Sequence, residues 1–370
     1  MTRRCLLSRA PGGYRRGVSP RSTLLMAAAL ALLPAGLAHA ATKSVTIGVP
    51  AAKKAAFDNL GADVNAYFPN RITIHRGDKV KFTVPSGLHT VQFPAKGRAA
   101  SLLVSPGSPI AGVRDAAGVP YWFNGQPDLE LTPTLLSGAF GKAVSYNGQD
   151  LQSGLPFTRK PLTVKFTKTG TFTYFCNVHS GMKGKVTVVG PGSKIPSAKA
   201  DAQKVKKQVS DALKEARKLQ TTLLPKDTIQ LGNGGRTGVE ILAMYPGAMT
   251  VPTGTVLTFQ LSRFSVASHT ATTGPGDPLR EPDSFLGRMS ASVRATPPFD
   301  QAGVYPSDQR GVPALLTQSL HGNGFWSTGF MDRSDATPQP KTFQVKIVAP
   351  GTYNFYCLLH PFMKVAVTAT

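Results

Sequence analysis

The sequence predicts an all-β chain made of two copies of one sandwich-type domain, and three observations carry that prediction. The first is composition: 37 Gly and 30 Pro punctuate 370 residues that are 41% hydrophobic and only 16% charged, a turn-rich globular balance. The second is length, which suffices for two separately buried cores. The third is an internal repeat whose segments alternate apolar and polar residues with the period of a half-buried strand.

In the repeat, Phe68-Pro69 through Phe82 aligns with Tyr245-Pro246 through Phe259. Each copy reads aromatic, Pro, an alternating run, a Gly (Gly77 or Gly254) and a second alternating run, the pattern of two strands about a turn. A histidine follows each copy, His89 and His269. A later block, Leu162–Phe166 and then Gly170-Thr171 through Cys176, matches Phe343–Ile347 and Gly351-Thr352 through Cys357. His89 precedes Cys176 by 87 positions and His269 precedes Cys357 by 88, so the copies share a topology as well as a motif. Residues 94–160 and 274–341, rich in Gly, Pro and Ser, read as long loops with short strands.

Between the copies, Ala202, Val205, Val209, Ala212, Leu213, Ala216 and Leu219 fall at helical spacing, with Lys204, Lys207, Lys214 and Lys218 among the polar positions. This predicts an amphipathic helix ending before Pro225, read as a linker packed on one domain, with a basic surface-binding helix as the alternative. The expected organisation is a signal peptide over 1–40, a first domain over 41–192, a helical linker over 193–228 and a second domain over 229–370.

The signal peptide rests on six arginines, an apolar stretch from Leu24 to Leu33 and Ala38-His39-Ala40 as a small-x-small cleavage site. Thr2-Arg3-Arg4-Cys5-Leu6-Leu7 has a twin-arginine look, and general and twin-arginine export both stay open. The apolar run is too short to span a bilayer, so the expectation is an extracytoplasmic protein with no transmembrane segment after cleavage. Residues 1–40 hold six Arg and no acid, so the formal charge of +23 becomes +17. For an exported chain, that favours an anionic envelope surface or an acidic redox partner over nucleic acid.

Two cysteines remain after export, Cys176 and Cys357, in equivalent places of the two copies. Each opens Cys-x-x-His-x-x-Met: Cys176, His179, Met182 and Cys357, His360, Met363. A cysteine at a strand end, with a tight loop returning an imidazole and a thioether, gathers three donors about one point, and the upstream His89 or His269 closes the set. Two imidazoles, a thiolate and a weak thioether suit copper, and type 1 copper in particular, whereas structural zinc sites take more thiolate or imidazole and no methionine. The expected cofactor is two type 1 copper ions. His75 aligns with Pro252, and His321 has no histidine counterpart, so neither belongs to the duplicated set.

These loops resemble those of the plastocyanin and amicyanin branch of the cupredoxin family, and Cys357-Leu358-Leu359-His360-Pro361-Phe362-Met363 is especially similar to the amicyanin loop. The resemblance covers the first strands and last hairpin of each half. It implies tandem Greek-key β-sandwiches and electron transfer through a buried copper whose C-terminal His edge reaches the surface. The His-to-Cys separation is longer than in the small carriers, so insertions that alter partner choice or cover the site are expected.

Multicopper oxidases and nitrite reductases also join such domains, but they use His-x-His and His-Cys-His patterns absent here, so no enzyme is expected. Copper storage or delivery stays open as the alternative to electron transfer. Asn177, Ser180 and Gly181 in the first loop, against Leu358, Leu359, Pro361 and Phe362 in the second, predict a wetter N-terminal site and the higher reduction potential at the C-terminal one.

Overall fold

Alternating burial builds four main sheets. In Lys79–Thr83 the side chains of Val80 and Phe82 are inside and those of Lys79 and Lys81 outside, and Lys364–Ala369 repeats the pattern with Val365, Val367 and Ala369 inside, as a sheet with one wet face requires. The computed structural model describes residues 40–370 except 98, 106, 296, 310 and 334–339. The expected signal peptide, up to His39, lies outside the described residues.

In the first half, one sheet runs in the order Tyr67–Phe68, Thr42–Ile47, Lys79–Thr83, Leu162–Phe166, Ala143–Tyr146. The facing sheet runs Leu151–Gln152, Gln92–Phe93, Gly170–Phe175, Lys183–Val189, Arg71–His75. Between them lies one core that includes Val45, Ile47, Phe82, Phe93, Phe166 and Tyr174. The second half repeats the orders: Val239–Tyr245, Thr228–Gly234, Val256–Leu261, Thr342–Ile347, Ala314–Leu316 against Ala248–Val251, Lys364–Ala369, Gly351–Tyr356, Thr272–Thr273, Trp326–Ser327. Its core is built around Phe259, Trp326 and Phe355. Two β-sandwiches therefore stand in the chain, as the repeat predicts. The sheets mix parallel and antiparallel pairs: Thr42–Ile47 runs parallel to Lys79–Thr83, and Leu162–Phe166 antiparallel to it.

Three features differ from the sequence reading. First, strand Ala62–Val64 leaves its own half and pairs with Val239–Tyr245, with Val64 opposite Val239 and Asp63 opposite Glu240. Residues 40–370 form one compact unit. Second, the helix Ala198–Lys218, capped by Ser197, packs on both halves. Val209, Ala212 and Ala216 share a core with Val49, Phe57, Val64 and Phe68 of the first half and with Val239 and Ile241 of the second. Third, the two insertions build a further core together. Leu103, Ile110, Tyr121 and Phe123 pack with Leu286, Met289, Val293 and Phe325, and Trp122 Nε1 donates to the Pro306 carbonyl at 2.8 Å. Helix Phe285–Arg294, capped by Ser284, replaces part of the expected loop.

Candidate metal centre

Each site hangs from the last hairpin of its sandwich. In Gly170–Phe175 against Lys183–Val189, Phe175 faces Lys183, and in the second half Tyr356 faces Lys364. The cysteine is the next residue, where the ladder ends. Its N–H donates to the carbonyl of the loop methionine at 3.0 Å in both halves, Cys176 to Met182 and Cys357 to Met363. The methionine N–H returns to the histidine carbonyl, at 3.2 Å from Met182 to His179 and 2.8 Å from Met363 to His360. These bonds fold Cys-x-x-His-x-x-Met into a closed loop, with both methionines buried beside the core.

The structure brings together His89, Cys176 and His179, and separately His269, Cys357 and His360. Within each group the ring nitrogens and sulfur lie within 4.8 Å of one another. In the first, Nδ1 of His89 faces Nδ1 of His179 at 3.1 Å, and Cys176 Sγ is 3.5 Å from His179 Nδ1. In the second, Cys357 Sγ lies 3.8 Å from His269 Nδ1 and 3.5 Å from His360 Nδ1. The other two histidines among the described residues have partners elsewhere: His75 Nε2 is 2.8 Å from the Ser193 carbonyl, and His321 Nδ1 is 3.0 Å from Asp115.

Two threonines complete the sites. Thr90 N–H points at Cys176 Sγ at 3.5 Å and Thr270 N–H at Cys357 Sγ at 3.4 Å, while the hydroxyl oxygens accept the N–H of Asn177 and Leu358, both at 2.8 Å. Donors aimed at sulfur favour the thiolate. The signal was available, since a threonine follows the histidine in both copies of the repeat. Glu240 was also missed. It is fully buried and bonded to His269 Nε2 at 2.9 Å; the repeat aligns it with Asp63, but a lone carboxylate in an apolar strand gave no hint of its partner.

The metal-free electrostatics of the two groups differ. Burial pushes the Cys176 thiol up, beyond what the amides of Thr90, His179 and Val178 recover. Burial lowers His89 to about 4 and takes His179 well below an ordinary imidazole, helped by the positive charge of its neighbour His89. In the second group burial acts in the same direction on His269, but hydrogen bonds with Cys357 and Glu240 overcome it and raise His269 to about 10. Burial alone would raise Cys357; its bonds with His269 and His360 bring it well below a free thiol instead.

Solvent access corrects the expectation drawn from the loops. Asn177 does not admit water: it is buried, accepts from Thr90 Oγ1 at 2.8 Å, and donates to Gln92 Oε1 at 2.8 Å and the Ala100 carbonyl at 2.9 Å. His179 is buried too, and the next residue, Ser180, donates its N–H to the Val266 carbonyl of the second half at 3.0 Å. His360 is the half-buried one, beside Phe362, which is 54% exposed.

No protein-family model matches the chain, and no curated protein is similar to it in sequence. Among solved structures, it is similar to a reduced auracyanin from Roseiflexus castenholzii (20% identity over 39% of this chain and 94% of that one, TM-score 0.23). It is also similar to a mutant fern plastocyanin (19% identity, 39% and 99%, TM-score 0.21) and to a purple cupredoxin from Nitrosopumilus maritimus (15% identity, 39% and 98%, TM-score 0.19).

Proposed function

We propose that this chain is an exported blue copper protein of the cupredoxin family that carries electrons through two type 1 centres. The observation that carries this reading is the duplicated, buried His–Cys–His donor set with a methionine on the same loop, held by the same hydrogen bonds in both halves. The donors fit copper in another respect. In the first group two buried Nδ1 atoms face each other at 3.1 Å, an arrangement that a cation between the rings satisfies. His89, Cys176, His179 and Met182 would hold one ion, and His269, Cys357, His360 and Met363 the other. Bound copper supplies a one-electron couple.

The residues do the rest. The closed loops and the threonine donors fix sulfur and imidazoles before metal arrives, the pre-organisation that small rearrangement on redox cycling calls for. The His360 edge and exposed Phe362 form the contact surface for a redox partner, which the excess of basic side chains would make acidic. His179 is turned instead toward the second half. Among the described residues, His75 and His321 are engaged elsewhere, and no helix is long and apolar enough to cross a membrane. We read the chain as an extracytoplasmic carrier without enzymatic activity.

The test is the visible spectrum and copper content of the purified protein. Intense thiolate-to-copper absorption with two coppers per chain is expected, with Cys176→Ser and Cys357→Ser each removing one copper. A colourless protein with full copper occupancy would overturn the type 1 assignment.

A further inference from the structure

One buried carboxylate stands outside the donor sets. Glu240, on strand Val239–Tyr245, accepts from four donors: Ser265 Oγ and His269 Nε2 (2.9 Å) on one oxygen, and the N–H groups of Val266 and Ala267 (both 3.0 Å) on the other. A carboxylate this deep survives where hydrogen bonds replace its hydration, and here they do so on both oxygens. Gly232 makes the room. Its φ is +67°, and a β-carbon there would overlap Glu240 Oε1 and stand 2.8 Å from His269 Nε2. The first half has the same glycine without the bond: Gly48, with φ +76°, lies against His89 Nε2, and that nitrogen is buried without a partner, because the aligned carboxylate, Asp63, lies on the strand that crosses to Val239–Tyr245 and accepts the Val64 N–H instead.

We infer that Glu240 is a positioning residue that makes the two centres unequal, fixing His269 with its proton on Nε2 and its Nδ1 lone pair toward the metal, and giving the C-terminal centre the lower reduction potential. The inference rests on the reading of both donor sets as copper centres. A carboxylate behind a ligating imidazole orients the ring and raises its basicity, and its negative charge favours the more highly charged oxidation state. This reverses the order expected from the loops. Leu358, Leu359 and Pro361 alter solvation around their site, but Glu240 adds a whole charge one imidazole ring away, and the N-terminal site is not the wetter of the two.

Redox titration of single-centre proteins tests it. Cys176→Ser isolates the C-terminal centre and Cys357→Ser the N-terminal one, and the C-terminal potential is expected to be the lower. Adding Glu240→Gln to Cys176→Ser should change the ratio of affinities for the two oxidation states at least ten-fold, a rise of ~59 mV for one electron, and should leave the N-terminal centre of Cys357→Ser unmoved. Ser265→Ala keeps the carboxylate but removes a donor, which concentrates charge on the oxygen facing His269 and should lower the potential. A packing role alone would move both variants the same way or neither. Failure of both single-centre proteins to bind copper overturns the metal reading and this inference with it. Bound copper whose potential ignores Glu240→Gln overturns the inference alone.

Discussion

Thr90 and Thr270 each follow a candidate ligand and serve the facing cysteine, the amide aimed at sulfur and the hydroxyl holding the next backbone N–H. At this scale the candidate donors were legible because chemistry constrains them twice: a sulfur, two imidazoles and a thioether recur at one spacing in both halves. Glu240 was not legible, because what a strand carboxylate faces is set by neighbours distant in sequence. Asn177 misled for the same reason, its polarity being spent on Thr90, Gln92 and Ala100 rather than on water. Gly48 offers a residue-level test. Alanine there strains a left-handed backbone and puts a methyl 2.5 Å from His89 Nε2, so Gly48→Ala should weaken copper binding at the N-terminal centre at least ten-fold and cost about 1–3 kcal/mol of stability. Copper titration and chemical denaturation are the measurements; an N-terminal centre that binds as in the parent protein would refute the role assigned to this glycine.

Among the elements, the strands and the linker helix follow the periodicity that predicts them, whereas the insertions do not. Their core joins segments far apart in the chain, and no local period announces such a contact. Helix Phe285–Arg294, expected as loop, does carry a local signal that the loop reading passes over, with Leu286, Met289 and Val293 on one face after a Ser284 cap. The first insertion is also tied down by charge, through His321 and Asp115. Burial pushes the His321 pKa down, but the carboxylates of Asp308 and Asp115 push it up further, to above 6.5. A raised histidine pKa contributes stability that is complete below about 6.5 and is lost as pH climbs through the folded value. Docking of the insertion should therefore loosen on the alkaline side. Trp122, which bonds to Pro306 across this contact, should show a red-shifted emission as pH rises, with fully buried Trp326 as the constant background. Asp115→Asn should flatten that response, and an unchanged titration in the variant would place the pH dependence elsewhere.

For the whole molecule, the repeat disclosed two sandwiches but not how they are joined. The linker helix touches both, Ser180 reaches Val266, and Glu215 accepts the N–H groups of Arg236 and Thr237 at 2.9 and 2.7 Å. None of these bonds has a counterpart within a single copy, so comparison of the copies could not reveal them. Their joint effect is to hold the two donor groups in one fixed frame, the His179 loop bonded directly to the segment that leads into His269. Electrons passing between such centres would not wait on diffusion.

Strand Ala62–Val64 has a consequence of its own. It covers the flank of Val239–Tyr245, where Val239 and Ile241 are buried. Remove the first half and that flank becomes a bare, apolar row of unpaired amides and carbonyls, the feature through which β proteins aggregate or swap partners. Excised residues 226–370 should accordingly self-associate as concentration rises, read by sedimentation, while the full chain stays unchanged over the same range. A fragment that remains monomeric would mean that its outer strand needs no cover. The short strand thus acts as a guard against wrong assembly, and a duplicated domain that lends a strand to its twin is no longer free to be shed or exchanged.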